Sequence, residues 1–346
     1  MGSSLFWRNA LSTPTYQRRF WPLLFFAVLG ALLFAACGGD DDDAATTQPT
    51  TTTGTTAQAT EEAPTEIEVT HYSGTDTVPV NPETVVVFDL GLFLSLHALG
   101  IDVDGLGGLG TPVPDEFKAA VEDSGLEPVG TAFEPDYEAI NALEPDLIIV
   151  AHRSSATYPE MSKIAPTIDL TMDWENYQES FREVHETLGE IFQVEDEVAA
   201  ELDRLEAAAA EVAKDGAGAG TALVVMTSGA EVSAYGPGSR FGMVHSLFGF
   251  PAADDSLERE ATHGDVISFE FILEAEPEVL FVVDRSAAVG DEGDAAEAVL
   301  DNAIVQQTPA WQNDRVVYVD NFAWYIAFNS LPALERMIED AKVGLG

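Results

Sequence analysis

The chain is poor in basic residues and in cysteine. Its 346 residues include 15 lysine and arginine side chains against 60 aspartate and glutamate side chains, which gives a formal net charge of −45 at pH 7. Phosphate binding requires clustered cations, so this composition argues against nucleic acid as a partner. The only cysteine is Cys37, and a lone cysteine excludes an intramolecular disulfide.

Motifs for metal binding and for nucleophilic catalysis are also missing from the sequence. The six histidines are scattered, with no H-x-x-x-H or H-E-x-x-H spacing, so we do not expect a dedicated zinc or manganese site. There is no G-x-S-x-G elbow, which makes Ser239 a poor nucleophile candidate and argues against a secreted hydrolase. The chain is therefore predicted not to be an enzyme and to have no intrinsic cofactor.

The N-terminus has the layout of a bacterial lipoprotein signal. The first 36 residues contain no acidic residue, and three arginines precede an apolar run from Phe20 to Ala36. The run ends in Phe34-Ala-Ala-Cys37, which resembles a lipobox and predicts lipid attachment at Cys37. An uncleaved transmembrane anchor is the alternative, although the run is short for a span. Either interpretation predicts an extracytoplasmic protein that is anchored to the cell membrane, facing the periplasm or the cell surface.

Composition divides the rest of the chain. Residues 37–65 are acidic and then rich in threonine, with few large apolar side chains, and are predicted to be a disordered tether behind the signal peptide of residues 1–36. The remainder has the length of two ordinary domains. We predict an N-terminal α/β lobe over residues 66–192, an interlobe helix over 193–216 and a C-terminal α/β lobe over 217–346, in a monomer.

A sixteen-residue pattern occurs twice, 132 positions apart, at 138–153 and at 270–285. Each copy predicts a short helix, a Pro-acid turn, a buried strand and then an arginine, Arg153 or Arg285. In open α/β sheets, ligands bind beyond the carboxyl ends of the strands. The repeat therefore favours two similar lobes that each present an arginine to one cleft, although a Glu-Pro-Asp turn before an apolar strand is also common in α/β proteins.

Alternation of strands and helices elsewhere predicts mostly parallel sheets. Strands are predicted at 84–88, 147–150, 167–170, 222–226, 232–235 and 316–319, with a hairpin between the fourth and fifth of these. Helices are predicted at 90–99, 114–124, 137–143, 158–164, 177–192, 195–214, near 242–248 and from 331 onward. The helix at 195–214 is dense in alanine, leucine and glutamate and would span roughly 30 Å, enough to join two lobes.

Three further features are candidates for function. The loop Tyr235-Gly-Pro-Gly-Ser-Arg240 combines exposed backbone N–H groups with a cation before a helix, which suits an anion, although it also fits a tight strand-to-helix connection. Trp324 and Tyr325 either line a cleft, where they would stack on an aromatic ligand, or pack in the core. Glu138 and Glu270 either complement the helix dipoles or form a symmetric pair that docks on a partner's arginines.

With these motifs, the chain resembles the bacterial iron–siderophore solute-binding lipoproteins of ABC importers, in the subgroup that binds catecholate siderophores of petrobactin or enterobactin type. The resemblance covers roughly residues 84–337. Its most specific stretches are the GPGSRFG segment at 236–242 and the DRSAAVG segment at 284–290. It implies a class III periplasmic-binding-protein fold, in which two Rossmann-like α/β lobes with mostly parallel sheets are joined by a single long helix and hold the ligand between them.

The resemblance also implies site residues. The family's ligand arginines correspond to Arg153, Arg240 and Arg285. Some members complete the iron coordination with a histidine and a tyrosine when the siderophore supplies only four donors, and these positions correspond to His263 and Tyr325.

Two further correspondences concern partners and affinity. The glutamates that contact the permease correspond to Glu138 and Glu270. Some members carry a lysine three residues after the first arginine, where this chain has Ala156, so identical affinity is not implied.

The charges agree with the resemblance. A ferric tris-catecholate carries a formal charge of −3, which three arginines match through forked hydrogen bonds and stacking. The sequence thus predicts a binding protein whose partners are an Fe(III)–siderophore complex and an ABC permease. Haem, cobalamin or another iron chelate such as a hydroxamate remain alternative ligands. An adhesin without a small ligand would leave the arginines at the strand ends unexplained.

Overall fold

The computed structural model describes residues 65–109, 111–122, 125–257 and 264–346. The predicted signal peptide, Cys37, nearly all of the predicted tether and His263 lie outside the described residues. Within the described ranges, no helix is both long and apolar enough to cross a membrane.

The N-terminal half contains a hairpin and a parallel sheet. The antiparallel hairpin consists of β1 (Glu66–His71) and β2 (Gly74–Pro79). The sheet has the order β5-β4-β3-β6-β7, and its strands are β3 (Val85–Val87), β4 (Gly105–Leu106), β5 (Glu127–Pro128), β6 (Leu147–Val150) and β7 (Thr167–Asp169). Its helices are α1 (Leu90–Ala98), α2 (Asp115–Glu122), α3 (Tyr137–Leu143) and α4 (Tyr158–Met161). Strands and helices thus alternate, as the pattern predicted.

A single long helix, α6 (Glu195–Gly216), connects the halves and follows directly after α5 (Tyr177–Phe192), the last helix of the N-terminal half. The buried residues of α6 recur every three or four positions, at Val198, Leu202, Leu205, Ala209 and Val212, because one face of the helix packs against the core. The long connecting helix predicted from composition is therefore confirmed.

The C-terminal half contains a mixed sheet of the order β10-β9-β8-β11-β12, whose strands are β8 (Ala222–Ser228), β9 (Glu231–Tyr235), β10 (Asp265–Val266), β11 (Val279–Asp284) and β12 (Val316–Tyr318). Strands β8, β11 and β12 are parallel, whereas β9 and β10 are antiparallel to their neighbours. The helices of this half are α7 (Met243–Ser246), α8 (Phe269–Glu274), α9 (Arg285–Val289), α10 (Ala296–Leu300), α11 (Pro309–Gln312) and α12 (Leu331–Val343). A π-helical segment, Phe322–Ile326, precedes α12.

The two copies of the sequence repeat fold alike. Helix α3 leads into β6, and helix α8 leads into β11. Glu144 and Glu276, at the same place in each copy, both adopt a left-handed backbone, with φ of 51° and 44°. The turn that follows donates two backbone N–H groups to one carbonyl, that of Thr84 in the first copy and that of Thr221 in the second. The same local sequence thus builds the same turn twice.

One hydrophobic core extends through both halves. A single cluster of buried residues includes Leu92 of α1 and Phe181 of α5 in the N-terminal half, and Phe281 of β11 and Met337 of α12 in the C-terminal half. Polar contacts cross as well, because the Tyr177 hydroxyl donates to the Phe328 carbonyl at 2.7 Å. Because close-packed interiors transmit strain rather than yield, this shared core makes the connection between the halves stiff.

Candidate functional site

Three arginines that lie far apart in the sequence meet at one place. Arg153 follows β6 in a short 3₁₀ turn, His152–Thr157, and Arg285 is the first residue of α9, directly after β11. Arg240 reaches the same place from the loop between β9 and α7. The side chains that the repeat and the glycine-rich loop singled out are thus brought together by the fold.

The arginines converge on Tyr325 in the π-helical segment. Arg153 and Arg240 each donate an Nη2–H to the Tyr325 carbonyl, at 2.8 and 3.1 Å, and the Arg285 Nε–H donates to the Tyr325 hydroxyl at 3.2 Å. The guanidinium carbons of Arg153, Arg240 and Arg285 lie 5.1, 4.5 and 6.0 Å from the centre of the tyrosine ring. Tyr325 therefore organises the cluster through its carbonyl, its hydroxyl and its π face.

Two of the three charges have no acidic partner among the described residues. Arg285 pairs with Asp291 at 3.3 Å, whereas no carboxylate among the described residues lies within 4 Å of the guanidinium of Arg153 or Arg240. The Arg240 Nε is buried, and no described residue accepts a hydrogen bond from it. The chain has 60 acidic residues, yet none of those in the described ranges neutralises this pair of cations.

The pKa shifts reflect this crowding. Burial, together with the charge of Arg153, lowers the pKa of Arg240 to about 10. Four aromatic rings surround the Arg240 guanidinium, those of Trp174, Phe241, Tyr325 and Phe328, with centres 4.5 to 5.8 Å away. Cation–π attraction offsets part of the desolvation cost. The site therefore contains a buried cation that a bound anion would stabilise.

Tyr325 should titrate below an ordinary tyrosine. Burial of the phenol opposes ionisation, but the charges of Arg240 and Arg153 and the hydrogen bond from Arg285 outweigh it and lower the pKa. A phenol with a lowered folded-state pKa stabilises the protein only at alkaline pH, above its folded pKa, and the contribution is lost as the pH falls through that value.

Ultraviolet absorbance near 295 nm, recorded for the wild type and for Tyr325→Phe, should isolate this titration as their difference. Arg285→Gln should raise the pKa of the phenol, because it removes both a hydrogen bond and a charge. A difference curve with the pKa of an unperturbed tyrosine would contradict the electrostatic description of the cluster.

A cavity of about 470 Å³ opens beside the cluster. Its walls come from both halves, with Phe88, Gly107 and Arg153 following strands of the N-terminal sheet and Val289 and Ile326 belonging to the C-terminal half. Arg153 is the member of the arginine cluster that lines this cavity directly. The cavity thus lies beyond the carboxyl ends of β3, β4 and β6, where ligands bind in open α/β sheets.

His152, which the sequence analysis counted among the scattered histidines, positions Arg153. It has a φ of 47°, which is uncommon for a residue with a side chain. Its backbone N–H donates to the Thr171 hydroxyl at 2.7 Å, its Nε2 accepts from the Met172 N–H at 3.2 Å, and its ring packs edge-on against Phe328 at 4.8 Å. The only feature of the sequence that could have pointed to His152 was its place beside Arg153. The residues that it contacts are distant in the sequence and form no recognisable motif.

The structure corrects the prediction that Trp324 lines the site. The side chain is 0% exposed, its indole N–H donates to Asp340 Oδ2 at 2.8 Å, and its ring stacks on Phe281 with centres 5.9 Å apart. Trp324 is a core residue because the backbone turns its side chain away from that of Tyr325. His263 lies outside the described residues, and no group of three candidate metal ligands occurs within them.

Glu138 and Glu270 occupy matching positions. Each is the second residue of its helix, α3 or α8, and each side chain is exposed. The helices are capped by Asp136 and Ser268, whose side chains accept backbone N–H groups. Because other residues cap these helices, the two glutamates are free to contact a partner.

Comparison with known proteins identifies relatives of the chain. A family model described as periplasmic binding protein matches residues 85–322. The petrobactin-binding protein YclQ of Bacillus subtilis strain 168 is 38% identical over 295 residues, which cover 84% of this chain and 92% of the relative. The ferric-anguibactin-binding protein FatB of Vibrio anguillarum is 29% identical over 299 residues, covering 83% of this chain and 90% of the relative.

Solved structures agree with these matches. The crystal structure of YclQ superposes with a TM-score of 0.76, covering 81% of this chain and 98% of that one. The periplasmic catecholate-siderophore-binding protein VctP of Vibrio cholerae is 33% identical and superposes with a TM-score of 0.75, covering 80% of this chain and 99% of that one.

Proposed function

Because the chain belongs to the periplasmic binding protein family and has its class III fold, as predicted, we propose that it captures an anionic ferric catecholate siderophore between its halves and delivers it to the permease of an ABC importer. The family consists of substrate-binding proteins, and similar proteins such as YclQ, FatB and VctP bind siderophores. The arginine cluster and the neighbouring cavity are the proposed binding site.

The observation that carries the proposal is that Arg153 and Arg240 have no acidic partner within the part of the chain that the structure describes. An acidic protein repels anions over most of its surface, so an anion site must be built locally from a few cations. The cluster supplies three positive charges, and a ferric tris-catecholate carries a formal charge of −3. The fit of charge therefore favours this ligand over neutral or cationic hydroxamate complexes.

The donors that remain unused suit phenolate oxygens. A guanidinium has five N–H groups, and the bonds to Tyr325 use one from each arginine. One further donor, on Arg285 Nη1, is used by Asp291. The remaining donors of Arg153, which lines the cavity, would bind catecholate oxygens. Charge-assisted hydrogen bonds of this kind contribute about 1.5–3 kcal/mol each.

Other parts of the proposal rest on the resemblance. Tyr325, together with His263, would coordinate iron when the siderophore supplies only four donors, and the Tyr325 hydroxyl lies within the cluster, 3.2 Å from Arg285 Nε. Glu138 and Glu270 would contact the permease, and a lipid on Cys37 would hold the chain at the cell membrane. The division into lobes at 66–192 and 217–346 is part of the same proposal.

Quenching of tryptophan fluorescence tests the proposed ligand class, because Trp174 lies beside Arg240. Ferric enterobactin, a tris-catecholate of charge −3, should bind at least about 100-fold more tightly than a neutral ferric trihydroxamate or haem. Tighter binding of the hydroxamate or of haem would overturn the proposal.

Asp291 should compete with the ligand for Arg285. Its carboxylate lies 3.3 Å from Arg285 Nη1, and both side chains are partly exposed. An exposed pair of this kind is worth about 0.2–1 kcal/mol, so Asp291→Asn should tighten ferric enterobactin binding by about 1.4- to fivefold.

Asp294→Asn is the matched control, because Asp294 is an exposed residue of the same loop without an ion pair among the described residues. Equal tightening in both variants would show that net charge, rather than release of Arg285, causes the effect. Weaker binding in Asp291→Asn would contradict the competition itself.

A further inference from the structure

Phe133 is an exposed aromatic residue at the rim of the cavity. Its exposure is 71%, and it belongs to none of the buried hydrophobic clusters. It nevertheless lines the cavity, on the N-terminal half, together with Arg153 of the arginine cluster. The ring therefore faces a space that a ligand would fill, and it contributes little to the core.

The loop that carries Phe133 is held in place. The Thr131 hydroxyl accepts the backbone N–H groups of Phe133 and Glu134 at 3.3 and 2.9 Å, and the Thr131 N–H donates to the Glu134 carbonyl at 3.0 Å. At the base of the loop, Gly130 has a φ of 93°, and a Cβ there would lie 2.5 Å from the Asp136 nitrogen. The ring is thus presented by an ordered turn, at little ordering cost on binding.

The surroundings favour a flat apolar ligand part next to a charged one. Beyond Arg153, much of the wall is apolar, formed by residues such as Leu109, Val289 and Ile326. A catecholate ring combines charged oxygens along one edge with an aromatic face. Its oxygens would reach the guanidinium groups while its face meets the apolar wall and Phe133.

We propose that Phe133 is a specificity-determining residue, which packs against an aryl ring of the bound chelate and so favours aromatic over aliphatic ferric chelates. This inference rests on the proposed function and identifies Phe133 as the residue that recognises the aromatic part of the ligand. The arginines recognise negative charge, which ferric citrate also carries, so charge alone does not separate the two classes of ligand.

The test uses the full chain, two probes and three substitutions at Phe133. Phe133→Ala should weaken binding of ferric enterobactin by about tenfold, and Phe133→Leu should remain similarly weak because it restores apolar area without a ring. Phe133→Trp should bind within about twofold of the wild type. Affinity for ferric citrate should not fall in any variant, so the difference in affinity between the two probes should narrow in Phe133→Ala and Phe133→Leu and persist in Phe133→Trp.

Tyr72→Ala is the matched control, because Tyr72 is equally exposed, at 69%, but does not line the cavity. Full recovery in Phe133→Leu, or equal weakening of both probes in Phe133→Ala, would overturn the proposal. Unchanged binding combined with impaired uptake would also overturn it, and would assign the ring to the permease contact. Failure of the wild type to bind ferric enterobactin would reject the proposed function together with this inference, whereas the other outcomes reject the inference alone.

Discussion

Arg240→Met should lower the affinity for ferric enterobactin by at least about 100-fold, which corresponds to about 2.7 kcal/mol. The substitution removes a positive charge, and with it the hydrogen bond to the Tyr325 carbonyl, from a place that is largely shielded from water. Arg153 and Arg285 remain, so binding weakens without disappearing. Fluorescence titration, with calorimetry as a second readout, measures the change.

The variant should remain folded. Because burial and the charge of Arg153 lower the pKa of Arg240 to about 10, the charged form destabilises the folded state at pH values below about 10. Methionine removes this cost and keeps contact with the aromatic rings around the site. The melting temperature of the ligand-free variant should therefore equal or exceed that of the wild type.

Two controls define the interpretation. Arg204→Met removes an exposed arginine that pairs with Glu201 and Glu335, and it should leave ligand affinity unchanged. Arg240→Lys keeps the charge but loses the planar fork, so it should recover only part of the affinity. Wild-type affinity in Arg240→Met would remove the main support for an arginine-built anion site.

Reversing the charges of Glu138 and Glu270 together should abolish uptake of the ferric siderophore and leave its binding intact. Both side chains are exposed in the first turns of α3 and α8 and contact neither the arginine cluster nor the cavity. If they pair with arginines of the permease, Glu→Arg replaces attraction with repulsion, which costs several kcal/mol at an interface. Uptake of radioactive iron by cells that express the cognate permease measures the effect.

The control for this double variant reverses the charges of two exposed glutamates on another helix. Glu183 and Glu190 lie on α5, and neither forms an ion pair among the described residues. The double variant Glu183→Arg/Glu190→Arg makes the same change in net charge and should transport normally. Loss of ligand binding in Glu138→Arg/Glu270→Arg would show that these residues serve the site instead of docking.

Much of the secondary structure followed from local pattern. The boundaries of α3, α5 and β6 agree with prediction, because each element has clear periodicity or a short apolar run between turn residues. The hairpin of β1 and β2 and the short strands β4 and β5 were missed. Such segments are too short, or too polar, to be distinguished from loops, and pairing with distant strands stabilises them.

The residues of the candidate site were likewise predicted only in part from the sequence. The repeat and the glycine-rich loop singled out Arg153, Arg240 and Arg285, which the fold brings to one tyrosine. Sequence treated Trp324 and Tyr325 alike, whereas the structure buries one in the core and turns the other toward the cluster. Neighbouring aromatic residues in a π-helical turn cannot be assigned to opposite sides without knowledge of what packs on each.

The sequence by itself determined the acidic charge, which depends on composition. It also determined the duplicated helix–turn–strand unit and the long helix between the halves, because these depend on contacts between residues close in the chain. Tertiary structure decided that two arginines have no acidic partner among the described residues, that His152 has a left-handed backbone beside Arg153, and that Phe133 is exposed at a cavity. Each of these facts depends on the distances between segments separated by many residues. Such distances are set by how the core packs, and no local pattern encodes them.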